Sequence, residues 1–320
     1  MSWTRKLTRP GTVLVALFVL LTSFSSAASA QQADASPTAS PLPPSFDLMG
    51  PPPPGANDWS CTPSAEHPRP VVLVHGTNMD MESAWSELSP DLAAQGYCVF
   101  ALDYGRQAAF WDPNYVAWGM GDIAESAKEV AAFVDIVRST TGAAQVDMVG
   151  HSQGGVVARQ YLKFDGGADA ASPENSAVHR LVTLGATNHG TNFNGLQQLF
   201  LIAQSLGLPR VLSEQLLFGQ AGSQQLIGSS LLTRLNANGE TLPGIDYTVI
   251  ASRFDDVVTP PERTFLDDHG TGSVTNEWVQ DTCPDSTTSH LGLTTDPAMK
   301  YVVSSALDPS YSESHTPTCT

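Results

Sequence analysis

The stretch Val146-Asp147-Met148-Val149-Gly150-His151-Ser152-Gln153-Gly154-Gly155 limits what this chain can fold into more sharply than any other. An apolar run, Val146 to Val149, stops at a G-x-S-x-G pentapeptide, and Val156 to Leu162 resumes with helix-compatible spacing. A serine caught between a strand and a helix is forced onto a sharp turn that lifts its Oγ above the sheet. Gly150 and Gly154 fall where a Cβ would collide with the neighbouring strand and helix, in a turn that needs unusual backbone angles. The pentapeptide alone recurs by chance in tight turns. Flanked by strand and helix, it makes Ser152 a candidate nucleophile.

The start of the chain reads differently. Arg5, Lys6 and Arg9 precede an apolar run from Val13 to Leu21, and Ala28-Ser29-Ala30 supplies small residues ahead of Gln31. This pattern predicts a secretory signal peptide over residues 1–30, cleaved near Ala30, with an apolar run too short to span a bilayer. No later run in the sequence is long and apolar enough to do so, and a soluble, exported protein is expected. Residues 31–58 are rich in Ala, Ser and Pro and include Pro51 to Pro54, which predicts a disordered, extended linker. One domain is expected over residues 59–320, beginning near Trp59.

Charge narrows the partners. The formal net charge is −17. Without residues 1–30, fifteen basic residues become twelve against thirty-two acidic ones, a charge of −20. Such a surface repels nucleic acid and anionic membranes. Four cysteines, Cys61, Cys98, Cys283 and Cys319, lack the C-x-x-C spacing of a zinc cluster. In an exported chain an even count implies two disulfides, with three pairings open.

The remaining sequence alternates strands and helices. Val71-Val72-Leu73-Val74 is a continuous apolar run of the kind buried on both faces of a parallel sheet. Trp85, Leu88 and Leu92 mark one helix ended by Gly96, and Val99 to Leu102 is the next strand. Asp122 and Glu125 predict the start of a helix with Ile123, Ala127, Val130, Val134 and Val137 inward, stopped by Gly142. Further strands are expected at Leu181–Leu184 and Tyr247–Ile250, and a last helix over about 297–307. Together they predict an α/β fold, a mostly parallel sheet with helices on both faces.

A serine hydroxyl needs a base, and the base needs an orienting carboxylate. On such a fold the chain order is serine, acid, histidine, with the last two on loops after later strands. Asp255 follows the strand Tyr247–Ile250, and His290 lies beyond it in Thr288-Ser289-His290-Leu291-Gly292. Asp255 is preferred to Asp256 because it lies closer to the strand end. His75 and His151 read as architectural, His269 sits in a polar loop, and His189 is the rival base, although it precedes the acid. Two backbone N–H groups should face the developing negative charge. Gln153, after the nucleophile, and Thr77, after the first strand, are the candidates, the Thr77 hydroxyl being a further donor.

At this point the chain resembles the secreted bacterial lipases and esterases of the α/β-hydrolase superfamily called class 2 lipases. The resemblance rests on Val-Leu-Val-His75-Gly76-Thr77, Gly150 to Gly155, Gly185-Ala186-Thr187-Asn188-His189-Gly190-Thr191, Arg253-Phe254-Asp255-Asp256-Val257-Val258-Thr259-Pro260, and Cys283-Pro284 ahead of His290-Leu291-Gly292. These cover most of residues 60–308. The family's acid is the first residue of an Asp-Glu-Val-Val-Thr-Pro stretch, which implies Asp255. Some relatives carry a cysteine pair before the equivalent of Gln224-Gln225-Leu226, where this chain has Gly219-Gln220-Ala221-Gly222. The resemblance implies an ester hydrolase, foremost a triacylglycerol lipase, acting through a Ser152–His290–Asp255 triad and an acyl-enzyme. An esterase, a polyester hydrolase or an acyltransferase with the same triad stays open, as does an inactive binding protein on the same scaffold.

Residues 193–232 lie where this fold inserts helices over its active site. They include Leu196, Leu199, Phe200, Leu201, Ile202, Leu206, Leu208, Val211, Leu212, Leu216, Leu217 and Phe218. Such a surface suits acyl chains or a lipid–water interface, and equally a buried helical pair packed on the sheet. No cofactor, metal ion or obligate protein partner is expected, and Asp267-Asp268 reads as solvated. Cys61 lies ten residues before the first strand and Cys98 opens the adjoining one. That proximity predicts Cys61–Cys98 and leaves Cys283 for Cys319, as the fold resemblance also implies.

Overall fold

Continuous apolar runs build the centre of the protein. In a computed structural model, β1 (Val71–Val74) and β2 (Val99–Leu102) are buried along their whole length, as is β5 (Val146–His151). The described residues are 42–43, 46–108, 116–205, 219–267 and 269–319. The expected signal peptide with its cleavage site, the linker up to residue 41, Asp268 and the apolar positions Leu206 to Phe218 lie outside them.

Six strands form one sheet in the order β2-β1-β5-β6-β7-β8, with β6 at Val178–Leu184, β7 at Asp246–Ala251 and β8 at Ser273–Trp278. Every neighbouring pair is parallel. A separate antiparallel pair joins β3 (Gln107–Ala108) to β4 (Val116–Ala117). Sequence periodicity had not marked β8, Ser-Val-Thr-Asn-Glu-Trp. It is an edge strand with no fully buried residue, so no apolar pattern was imposed on it.

The helices cover both faces. On one, α3 (Ile123–Thr141) and α4 (Gln153–Phe164) pack Phe133, Val134, Val157 and Tyr161 against Phe100 and Met148. On the other, α1 (Met81–Trp85), α2 (Leu88–Ala94) and α7 (Pro297–Leu307) pack Trp85, Leu92 and Val303 against Val71 and Val149. Each such side chain contributes roughly 1.5–3 kcal/mol by leaving water. The Asp122 carboxylate accepts from the backbone N–H groups of Ala124 (2.8 Å) and Glu125 (3.1 Å), and Gly142 ends α3 at φ 71°. The helix expected through Trp85 and Leu92 is broken in two. Pro90 has no N–H to return to the Ser86 carbonyl, and its ring crowds that carbonyl.

The segment before Trp59 is not a loose linker where it is described. Phe46 is buried, its ring 5.9 Å from that of Phe133. The Asn57 side chain accepts from Ala101 N at 2.8 Å and donates to Ala101 O at 2.9 Å, covering the otherwise open edge of β2. Gly50 N donates to Asp103 Oδ2 at 2.8 Å, while Asp103 Oδ1 accepts from Met81 N at 2.7 Å. Composition suggested disorder because a proline-rich stretch cannot order itself. Here the sheet edge supplies the partners.

Two bridges pin the periphery. Cys61–Cys98 (Cα–Cα 5.8 Å) ties the segment before β1 to the start of β2. Cys283–Cys319 (Cα–Cα 5.4 Å) ties the C-terminal tail to the segment ahead of His290. Within residues 193–232 the described helices are α5 (Leu196–Ser205), a helical stretch over 219–224, and α6 (Ser230–Asn236). The arm before Trp59 gives a direct test. Phe46→Ala should lower the unfolding free energy by about 3 kcal/mol, read from the urea midpoint with the disulfides intact. An unchanged midpoint would mean that the segment contributes no packing.

Candidate active site

Ser152 stands between β5 and α4 with φ 54° and ψ −124°, a conformation that L-residues avoid. The turn is enforced by a close approach behind it. A Cβ on Gly154 would lie 2.1 Å from the carbonyl oxygen of Val74 and 2.6 Å from that of His75. Only a bare α-carbon lets α4 start this close to β1, so its first turn ends directly over the sheet.

Loops at the same end of the sheet carry the other groups. His290 Nε2 lies 2.9 Å from Ser152 Oγ, and His290 Nδ1 lies 2.8 Å from Asp255 Oδ2. All three residues are buried. Asp255 Oδ1 accepts from the N–H groups of Val257 (2.9 Å) and Val258 (2.7 Å), which leaves Oδ2 for the imidazole. Asp256 instead accepts from the backbone N–H of His290 at 3.3 Å, helping to hold the histidine loop. Gly185, at φ 58°, makes room for the pair. A Cβ there would come within 3.1 Å of both Asp255 Oδ2 and His290 Nδ1.

The other histidines are occupied elsewhere. His189 Nε2 lies 2.7 Å from Glu240 Oε1. His75 stacks on Tyr104 with ring centroids 4.4 Å apart, and its Nδ1 lies 2.8 Å from Gly76 O. His269 is 3.5 Å from the Asp267 carboxylate in an exposed turn. His151 Nε2 donates to the backbone carbonyl of His290 at 3.0 Å, the ring centroids being 4.8 Å apart. Burial first, and then the neighbouring His290 ring, pushes the His151 imidazole down to about 3.

Gln153 is the first residue of α4, where the backbone N–H has no acceptor within the helix. Thr77 follows β1 across the same gap. Its hydroxyl donates to Gln153 Oε1 at 2.8 Å and accepts from Gln225 Nε2 at 2.8 Å. The Thr77 hydroxyl, the further donor expected from the sequence, here gives its proton to Gln153. The sequence marked Gln225 only as part of the Gln224-Gln225-Leu226 stretch and not as a partner of Thr77, because the elements it joins lie 148 residues apart.

A cleft of about 410 Å³ opens over Ser152. Met79, Phe193, Leu196, Val257 and Leu291 line it, with Leu291 60% exposed at its rim. Of the apolar positions read from the insert, Leu196 faces this cleft and Ile202 is 49% exposed. Among the described residues no group of three His, Cys, Asp or Glu could hold a metal ion, and no helix is long and apolar enough to cross a membrane.

Residues 68–298 match the family model for class 2 lipases. The chain belongs to the class 2 lipase family. Triacylglycerol lipases from Pseudarthrobacter phenanthrenivorans and Burkholderia plantarii are each 28% identical to it over 144 residues. That alignment covers 43% of this chain but 39% and 35% of those proteins, so it spans less than half the length of either relative. The structure is similar to Aspergillus fumigatus lipase B, with a TM-score of 0.53 at 18% identity over 84% of this chain and 57% of that one. A Bacillus licheniformis lipase in its propeptide form gives a TM-score of 0.50 at 18% identity, over 81% of this chain and 52% of that one. These likenesses show an α/β-hydrolase fold in this member of the family.

The buried His151 predicts an acid-sensitive fold. Below its ordinary value of 6.5, the unfolded chain takes up a proton that the native state refuses until about 3. Stability from this site is thus complete above about pH 6.5 and lost as the pH falls towards 3. His75, shifted downward by burial, acts in the same direction. The urea midpoint should fall between pH 7 and 4, and His151→Gln should shrink that fall. Parallel pH profiles for the two proteins would show that residue 151 is not held neutral by the fold.

Proposed function

We propose that the protein is an exported carboxylic-ester hydrolase, foremost a triacylglycerol lipase, working through an acyl-enzyme on Ser152. The single observation that carries this reading is the Asp255–His290–Ser152 chain, at 2.8 and 2.9 Å, under an apolar cleft. His290 Nε2 takes the hydroxyl proton as Ser152 Oγ attacks the ester carbonyl. Asp255 keeps the imidazole in the required tautomer and stabilises its cation. The backbone N–H groups of Gln153 and Thr77 receive the charge that moves onto the carbonyl oxygen. Collapse of the tetrahedral intermediate breaks the bond to the leaving alcohol, which receives the proton from His290. Water, deprotonated by His290, then attacks the acyl-enzyme and releases the carboxylic acid.

The lining of Met79, Phe193, Leu196, Val257 and Leu291 supports an acyl chain as the group held beside the serine. Names of the aligned relatives, triacylglycerol lipases, favour glycerides over short soluble esters. The net charge of −17 argues against nucleic acid and anionic membranes as partners and leaves a neutral lipid–water interface. Export fits two disulfides, which persist in oxidising compartments.

A triglyceride series from short to long chains should be hydrolysed. Ser152→Ala should lower kcat by roughly 10⁴- to 10⁶-fold, leaving only catalysis from binding and oxyanion contacts. His290→Ala should be comparably damaging, whereas His189→Ala should stay within a few-fold. The kcat/KM of the wild type should fall on the acidic side, where His290 becomes protonated and can no longer act as base. Folded Ser152→Ala with near-normal activity would overturn the assignment, and a reversed ranking of the histidines would move the base to His189.

A further inference from the structure

We propose that Gln225 is a positioning residue for the oxyanion loop, through which the helical insert sets the placement of Thr77 and Gln153. The proposal rests on the ester-hydrolase reading above.

Gln225 is buried and lies at the end of the helical stretch 219–224, outside every motif that marks the active site. Its side-chain amide is fully used. Nε2 donates to Ala221 O at 3.1 Å and to Thr77 Oγ1 at 2.8 Å, and Oε1 accepts from the Thr187 hydroxyl at 2.9 Å. A backbone carbonyl can only accept, so Ala221 fixes which end of the amide faces Thr77. The backbone is held too, with Thr191 N donating to Gln225 O at 2.9 Å. The donor offered to Thr77 is thus anchored on two sides, by the loop after β6 and by the insert.

Thr77 passes the constraint on. Having accepted from Gln225, its hydroxyl gives its proton to Gln153 Oε1 at 2.8 Å. The two residues whose backbone N–H groups border the reacting carbonyl are therefore linked by their side chains, and one rotamer of Thr77 satisfies both bonds. Oxyanion donors act only within a few tenths of an ångström of the right place, and a displacement near 1 Å costs on the order of 100-fold in rate. Gln225 also lines the cleft. A movement of the insert at the cleft wall would reach Thr77 through this amide.

The test separates positioning from packing and from substrate contact. Gln225→Met keeps the volume of the side chain and removes both ends of the relay. Its kcat should fall about 10- to 100-fold with KM within about threefold, and inhibition by an alkyl boronic acid, which forms a tetrahedral adduct on serine, should weaken in parallel. Thr187→Val, which leaves the amide in place but releases one end, should give a smaller loss of the same kind. The double variant should lose less than the product of the two, since both cut one chain. If Gln225→Met does not fold, Thr187→Val decides on kcat and KM alone. A folded variant with kcat within twofold of wild type, or one whose loss lies in KM alone, overturns the proposal while wild-type activity leaves the hydrolase reading standing. A wild-type protein that hydrolyses no ester and takes up no phosphonate on Ser152 overturns both.

Discussion

The approach of α4 to β1 governs this structure. The first turn of α4 lies so close to the carbonyls of Val74 and His75 that residue 154 has no space for a Cβ. That contact forces Ser152 out of the ordinary backbone regions and points its hydroxyl above the sheet. It also brings the start of α4 beside the loop after β1, where the Thr77 hydroxyl meets the Gln153 side chain. The geometry depends on β1 and β5 being paired in parallel with Val74 beside Gly150. Slipping that register by one residue would turn every side chain of β5 to the other face.

Around this turn the fold buries several polar groups. His75 and His151 flank the serine and are held uncharged by burial. Protonating His151 would place a cation in a low-dielectric site next to His290, the ring centroids being 4.8 Å apart. Arg159, on α4, is buried as well, its guanidinium held by Asn188, Asn236 and the Glu240 carbonyl. Four residues further, Lys163 donates to the carbonyls of Leu235, Ala237 and Gly239. The elbow helix thereby fastens the end of α6 and the loop after β6, which hold Asn188 and its neighbour His189.

The walls of the cleft come from chain segments far apart in sequence. Met79 follows β1, Val257 follows Asp255 and Asp256, Leu291 follows His290, and Phe193 with Leu196 opens the insert. Asp255, His290 and the apolar wall are thus built from the same loops, and a shift in one alters the others. The two disulfides lie at the margins of this arrangement. One holds the segment entering β1, and the other holds the segment leading to His290.

Local sterics and periodicity are properties of short stretches, and those the sequence determined by itself. The glycines around Ser152, the apolar runs of β1, β2 and β5, and the cap and stop of α3 were all readable from neighbouring residues. So was the alternation of strand and helix that defines the fold class. The chain order of serine, acid and histidine nominated Asp255 and His290 without saying how either is held. What the tertiary structure decided involves partners distant in the chain. Asp255 and Asp256 are adjacent and chemically equal. They differ only because one carboxylate faces the imidazole and the other a backbone N–H 34 residues away. The segment from Phe46 to Asp58 looked unable to order itself, and by composition it was. It is ordered because the open edge of β2 and the ring of Phe133 accept it. β8 had no pattern to read, since an exposed edge strand is selected by the backbone bonds of β7 and not by burial. Gln225 meets Thr77 only once the insert is laid across the sheet, and no rule of spacing reaches that far.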